Sequence, residues 1–175
     1  MKAAALERSI IANTRRLRRF AVSLAGPDDA DDLFQTTCET AFRKRRRLRS
    51  PEKAPAWLMT IMYRRFLSDR RAAARRRETA AETLPEIGRG ASSALKLSAV
   101  RVVDALETLP DDQRAALVLV AVEGWSSDEA GALLDLKPGS VRARVSRARE
   151  RLRELLGEDG LESLGGDQSQ DRKAN

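Results

Sequence analysis

The sequence predicts an all-α protein made of two small helical domains joined by a flexible linker. Three observations carry this. Apolar residues recur at spacings of three and four along nearly the whole chain, and strand-like alternation is weak everywhere. Between residues 80 and 95 the composition shifts to Ala, Glu, Ser and Gly, with Pro85, Gly88 and Gly90 and no aromatic residue. Six of the seven aromatic residues precede that stretch and only Trp125 follows it, so the two sides are expected to pack separately. With 175 residues, 42% of them apolar and 34% charged, the chain can fill one or two small cores.

In the first domain, residues 1–79, the stripe Leu6, Ile10, Leu17, Phe20, Ala21 and Leu24 defines a first helix, and Gly26-Pro27-Asp28 stops it. Asp28 can cap a second helix whose first turns hold Asp29, Asp31 and Asp32, where carboxylates suit the helix dipole. Its inner face is read as Ala30, Leu33, Phe34, Thr37, Ala41 and Phe42. A basic run over 43–49 leads into a loop at Ser50-Pro51 and Pro55, then a third helix over about 54–77 with Trp57, Leu58, Ile61, Phe66 and Leu67.

Past the linker, 80–95, a second domain covers 96–157. A helix over 97–108 breaks at Leu109-Pro110, and a new one runs over 111–122 until Gly124 closes it. Ser126 and Glu129 form a capping box for a short helix over 127–136, with Ala130, Leu133 and Leu134 inward. Lys137-Pro138-Gly139 makes a tight turn, and Pro138 suits the first position of the last helix. That helix carries an inner stripe of Val141, Val145, Ala148, Leu152 and Leu155. The tail, 158–175, is rich in Gly, Asp and Gln and is expected to be disordered.

The net charge is +7. Residues 1–78 hold 20 Lys and Arg against 9 Asp and Glu, whereas residues 79–175 hold 13 against 17. Within the second part, 137–153 has seven bases and one acid. Two basic surfaces in helical segments point to a polyanion partner. The absence of His removes the commonest general base and zinc ligand, and the single Cys38 leaves no disulfide or cysteine metal cluster. No phosphate-binding Gly loop is present, so neither an enzyme nor a cofactor nor a metal is expected. The longest apolar run, 115–122, is far short of a membrane span, and Glu7 and Arg8 interrupt any signal core. A cytoplasmic location is expected.

A short helix, a tight turn and a second helix with an apolar inner stripe form a helix-turn-helix pattern. The first helix props the second, whose N-terminal residues meet base edges in the major groove. Ser140, Arg142, Ala143, Arg144 and Arg147 lie off the inner stripe in its first turns. Arg can fork onto guanine, Ser can bond a base or phosphate, and Ala143 can approach a thymine methyl. Arg149, Arg151 and Arg153 lie further along, where phosphate contact or plain solvation is expected.

Five motifs fall in order: Ala30-Asp31-Asp32-Leu33-Phe34-Gln35, Trp57-Leu58, Leu109-Pro110-Asp111-Asp112-Gln113-Arg114, Glu123-Gly124-Trp125-Ser126-Ser127-Asp128-Glu129-Ala130, and the segment from Gly139 to Arg149. The ordered set resembles a bacterial RNA polymerase sigma factor of the extracytoplasmic-function (ECF) group, over about residues 5–156. The resemblance implies a region 2 domain that binds core polymerase and opens the −10 element, and a region 4 helix-turn-helix that binds the −35 element. By position, Asp31, Asp32, Gln35, Thr36 and Glu39 fall on the polymerase-binding face. Arg46, Arg47, Arg49, Trp57, Arg64, Arg65 and Arg71 would face the −10 strand, with Trp57 either stacked on a base or placed in the core. Lys137, Ser140, Arg142, Ala143, Arg144 and Arg147 would face the −35 element.

Many family members carry Asn where this chain has Arg64 and Asp where it has Ser68. Trp57-Leu58-Met59-Thr60-Ile61 and Ser68-Asp69-Arg70-Arg71 look closer to the general-stress branch of alphaproteobacteria. That branch is held by an anti-sigma factor, which a response-regulator-like protein displaces. The partners so implied are core RNA polymerase, promoter DNA and an anti-sigma factor. The alternative is a stand-alone helix-turn-helix regulator that binds operator DNA. Such a protein would carry a ligand pocket or dimer domain in place of an acidic helix followed by a basic one.

Overall fold

The computed structural model describes residues 2–79 and 94–157. Helix α1 spans Lys2–Arg43 but is bent, because Gly26 takes φ 79° and ψ 169°. Two arms, 2–25 and 27–43, meet at that kink, so the expected stop at Gly26-Pro27 is a corner between two helices. Gly26 is buried, and a Cβ there would lie 2.5 Å from Glu107 Oε1. The positive φ is what requires glycine here, since the Glu107 carboxylate is the end of a side chain that can swing aside. Two 3₁₀ turns, Arg45–Arg47 and Pro51–Lys53, lead into α2, Ala54–Thr79. The arms of α1 pack on α2, where Leu6, Leu17, Phe20, Leu24 and Leu33 share a core with Leu58, Met59, Met62 and Phe66.

Helix α3 spans Ala94–Glu107 and α4 Asp111–Leu117. The helix expected over 111–122 changes type: α4 continues as a π turn, Val118–Val122, whose wide ring is closed by the Glu123 amide donating to the Val118 carbonyl at 3.0 Å. Helix α5 spans Ser127–Leu134 and α6 Pro138–Leu156, with Pro138 in the first turn as expected. Val141, Val145, Ala148 and Leu152 are buried against α4 and α5. Leu155 is instead exposed, because the buried line passes from Leu152 to Leu156, which packs on the core, and leaves Leu155 at its edge. Phe42 is also exposed, because the buried line of the second arm runs through Leu33, Thr37 and Ala41 and leaves Phe42 at its edge.

One apolar cluster runs through both halves of the chain. Helix α1 packs on α3 and α4, and α2 packs on α5. The expectation of separately packed units is therefore corrected. The partition of aromatics marks two stretches of sequence, yet Phe66 of α2 lies 5.8 Å from the Arg114 guanidinium of α4, and Trp57 and Trp125 line one groove. Most of the expected linker, 80–93, and the expected tail, 158–175, lie outside the described residues. Among the described residues no helix is long and apolar enough to cross a membrane.

Candidate functional site

The helix-turn-helix is built by local chemistry. The Ser126 amide donates to the Glu129 carboxylate at 2.9 Å, and the Glu129 amide donates to Ser126 Oγ at 3.2 Å, which completes the capping box at the start of α5. Asp135 ends α5 in the left-handed region at φ 59°. The turn closes tightly on Gly131, where a Cβ would stand 2.5 Å from the Leu136 carbonyl oxygen. Of the residues expected to face the −35 element, Lys137, Arg142, Ala143 and Arg147 are exposed together on α6 and its leading turn. Ser140 and Arg144 are half-buried, and Arg144 Nε donates to Asp112 at 2.6 Å.

The residues expected to face the −10 strand divide. Arg47, Arg49 and Trp57 meet Lys53, Trp125 and Leu133 around a largely apolar groove of about 610 Å³. Trp57 is half-buried and lines that groove, between the two roles expected of it. Arg64 and Arg71, seven and fourteen residues further along α2, fall on the stripe of Trp57 and are exposed. Arg46 lies exposed in the first 3₁₀ turn. Arg65 lies apart: it pairs with Asp69 at 2.8 Å and lines a different cleft.

That second cleft, about 810 Å³ and polar, holds Asp32, Gln35 and Thr36 of the second α1 arm opposite Arg65, Arg70 and Arg76 of α2. Asp32, Gln35 and Glu39 are exposed and spaced along one helical face. Gln35 donates to Glu39 at 3.2 Å, and Asp31 pairs with Arg18 across the kink at 2.9 Å. Beside this face burial pushes the Cys38 thiol up from its ordinary value, with Glu39 adding to the shift.

Sequence reading missed the polar contacts between the two halves. Glu123 accepts from both Arg16 and Arg19, the latter at 2.7 Å, and its side chain is only 1% exposed. Arg16 also lies 6.0 Å from the Trp125 ring. Arg70 pairs with Asp111 at 3.0 Å, and Asp111 also holds the buried Arg114 at 2.6 Å. Burial lowers the Arg114 pKa from its ordinary value. The sole local signal was a carboxylate, Glu123, placed directly after the apolar run 115–122.

Residues 10–76 match the family described as Sigma-70 region 2, and residues 99–152 match Sigma-70, region 4. The ECF RNA polymerase sigma factor EcfG of Rhodopseudomonas palustris (strain TIE-1) is 40% identical over 167 residues, covering 93% of this chain and 91% of that protein. The RNA polymerase sigma factor CarQ of Myxococcus xanthus is 40% identical over 141 residues, covering 76% and 78%. The solved structure of the sigma factor RpoE in complex with the anti-sigma factor NepR from Bartonella quintana aligns with a TM-score of 0.78 at 32% identity, over 87% of this chain and 97% of that one. With both regions matched in order and nearly the whole length shared, the chain belongs to the ECF sigma factors of RNA polymerase.

Proposed function

We propose that this protein binds core RNA polymerase, directs it to promoters through −10 and −35 elements, and has no catalytic activity of its own. The observation that carries this is the order of two matched regions, each with an exposed charged face suited to its task. Asp32, Gln35 and Glu39, with Asp31 and Thr36 beside them, form the polymerase-binding face. Arg46, Arg47, Arg49, Trp57, Arg64 and Arg71 follow the −10 strand, and Arg65 contacts it from the flank. Lys137, Ser140, Arg142, Ala143, Arg144 and Arg147 read the −35 element. The domains run 1–79 and 96–157, with 80–95 as the linker and 158–175 as a tail without a core. The protein works in the cytoplasm, and an anti-sigma factor holds it inactive. The RpoE relative, solved with its anti-sigma factor NepR, supports that partner.

The test is reconstituted transcription. Core polymerase plus this protein should give promoter-dependent transcripts that neither component gives alone. A single small recognition helix supplies few base contacts, so the free protein should bind promoter DNA weakly. Tight, sequence-specific binding by the free protein, with no effect on core polymerase, would support the stand-alone regulator instead.

A further inference from the structure

Of the residues proposed for the −10 strand the arginines are exposed, but Arg47, Arg49 and Trp57 form one side of a groove whose other side belongs to the second half of the chain. Helix α5 and the residue before its cap supply that other side: Trp125, Ala132 and Leu133 face the groove opposite Arg47, Arg49 and Trp57. A strand laid along the loop over 44–53 would meet α5. The other end of the same junction is fastened by charge. Glu123, two residues before Trp125, has a side chain 1% exposed and takes two guanidinium groups from the first arm of α1. Arg16 adds a longer donation to the Glu123 carbonyl at 3.4 Å and stands over Trp125. A carboxylate so removed from water is held only by its partners, so separating the halves without rehydrating it is costly. The Arg70–Asp111 pair spans the same junction from α2.

We propose that the closed arrangement is a self-inhibited state latched by Glu123 on Arg16 and Arg19, in which α5 walls one side of the loop offered to the −10 strand and narrows the approach to it. This rests on the −10 assignment made above. The latch is separate from any partner: it keeps the free chain from holding polyanions and must open before both DNA-facing surfaces are available. Opening rehydrates Glu123 and bares the groove between Trp57 and Trp125.

Charge reversal on the α1 side gives a test with an unusual sign. The full-length Arg16→Glu/Arg19→Glu variant loses positive charge, which by simple electrostatics weakens polyanion binding. The latch predicts the opposite. The variant should have a larger radius of gyration in solution scattering and should bind a fluorescent mixed-sequence single-stranded DNA of 20 nucleotides about tenfold more tightly. Adding Glu123→Arg to it should restore both wild-type values. Should the reversal variant lose helical circular dichroism, Glu123→Gln, nearly isosteric, carries the test with a smaller shift in the same direction. Wild-type scattering together with weaker DNA binding in the charge-reversed chain, or an unmoved radius in Glu123→Gln, overturns the latch. A chain that opens as expected but supports no transcription with core polymerase keeps the latch and removes the sigma-factor reading.

Discussion

Three arginines in the first turns of α6 show how context separates like residues on one helix. Arg142 and Arg147 are exposed, whereas Arg144 is half-buried and gives its Nε to Asp112 at 2.6 Å. Arg142→Ala and Arg147→Ala are each expected to lower use of a promoter by about 1–3 kcal/mol, the range for one lost base contact, without moving the melting temperature. Arg144→Ala should lower both, because Asp112 loses its partner. Transcription titrations beside thermal melts separate the two patterns. Tyr63 offers a residue-scale test of burial. Burial raises its phenol above the ordinary value, Asp112 and Asp111 add to this, and Arg144 and Arg71 oppose it. A raised acid stays protonated in the folded chain when the unfolded chain already ionises. Its contribution is complete below the free tyrosine value of about 10 and is lost as pH climbs through the folded value. Urea midpoints from about pH 8 to 11 should fall less steeply in Tyr63→Phe than in the parent.

At the scale of elements, the helix-turn-helix depends on a bare backbone at Gly131. Alanine there would gain about 1 kcal/mol of helix propensity, but its methyl would meet the Leu136 carbonyl oxygen at 2.5 Å. That oxygen belongs to main chain and cannot swing away, so Gly131→Ala should destabilise by about 1–3 kcal/mol net, read by chemical denaturation. The second α1 arm makes a different prediction. Asp32→Arg or Gln35→Ala, both exposed beside the buried Leu33, should weaken pull-down of core polymerase while leaving helicity intact. The elements legible in the sequence are those set by local rules. The capping box at Ser126, Pro138 in the first turn of α6 and the Val141–Val145–Ala148–Leu152 stripe each need only a few neighbouring residues. The stripe ends were misread at Phe42 and Leu155, because the buried line passes through the adjoining Ala41 and Leu156, and spacings of three and four fit either neighbour. The −35 and polymerase-facing sets were readable as helical faces. The splitting of Arg65 from Trp57 was not, since it depends on which sides of α2 meet α1 and α5.

For the whole molecule, the question is whether two matched regions fold as one body. No sequence rule joins Glu123 to Arg16 and Arg19, more than a hundred residues away, or Asp111 to Arg70. Yet these pairs flank an apolar cluster that passes without a break from α1 and α2 into α4 and α5. Separating the halves while each stayed folded would expose part of that cluster and leave a buried carboxylate short of its partners. The energetic coupling should make unfolding of one half carry the other. The chain holds two tryptophans, Trp57 in the first half and Trp125 in the second, and both line the same groove. Trp57→Phe and Trp125→Phe therefore give single-tryptophan proteins that each report on one half. Urea unfolding of the two variants, corrected for any common shift in stability by far-UV circular dichroism on each, should give fluorescence and helicity transitions that coincide, with one m-value per protein. A Trp125 signal that moves at lower urea than helicity, with Trp57 following later, would mean that region 4 leaves the body first and that the shared core contributes little to holding the halves together.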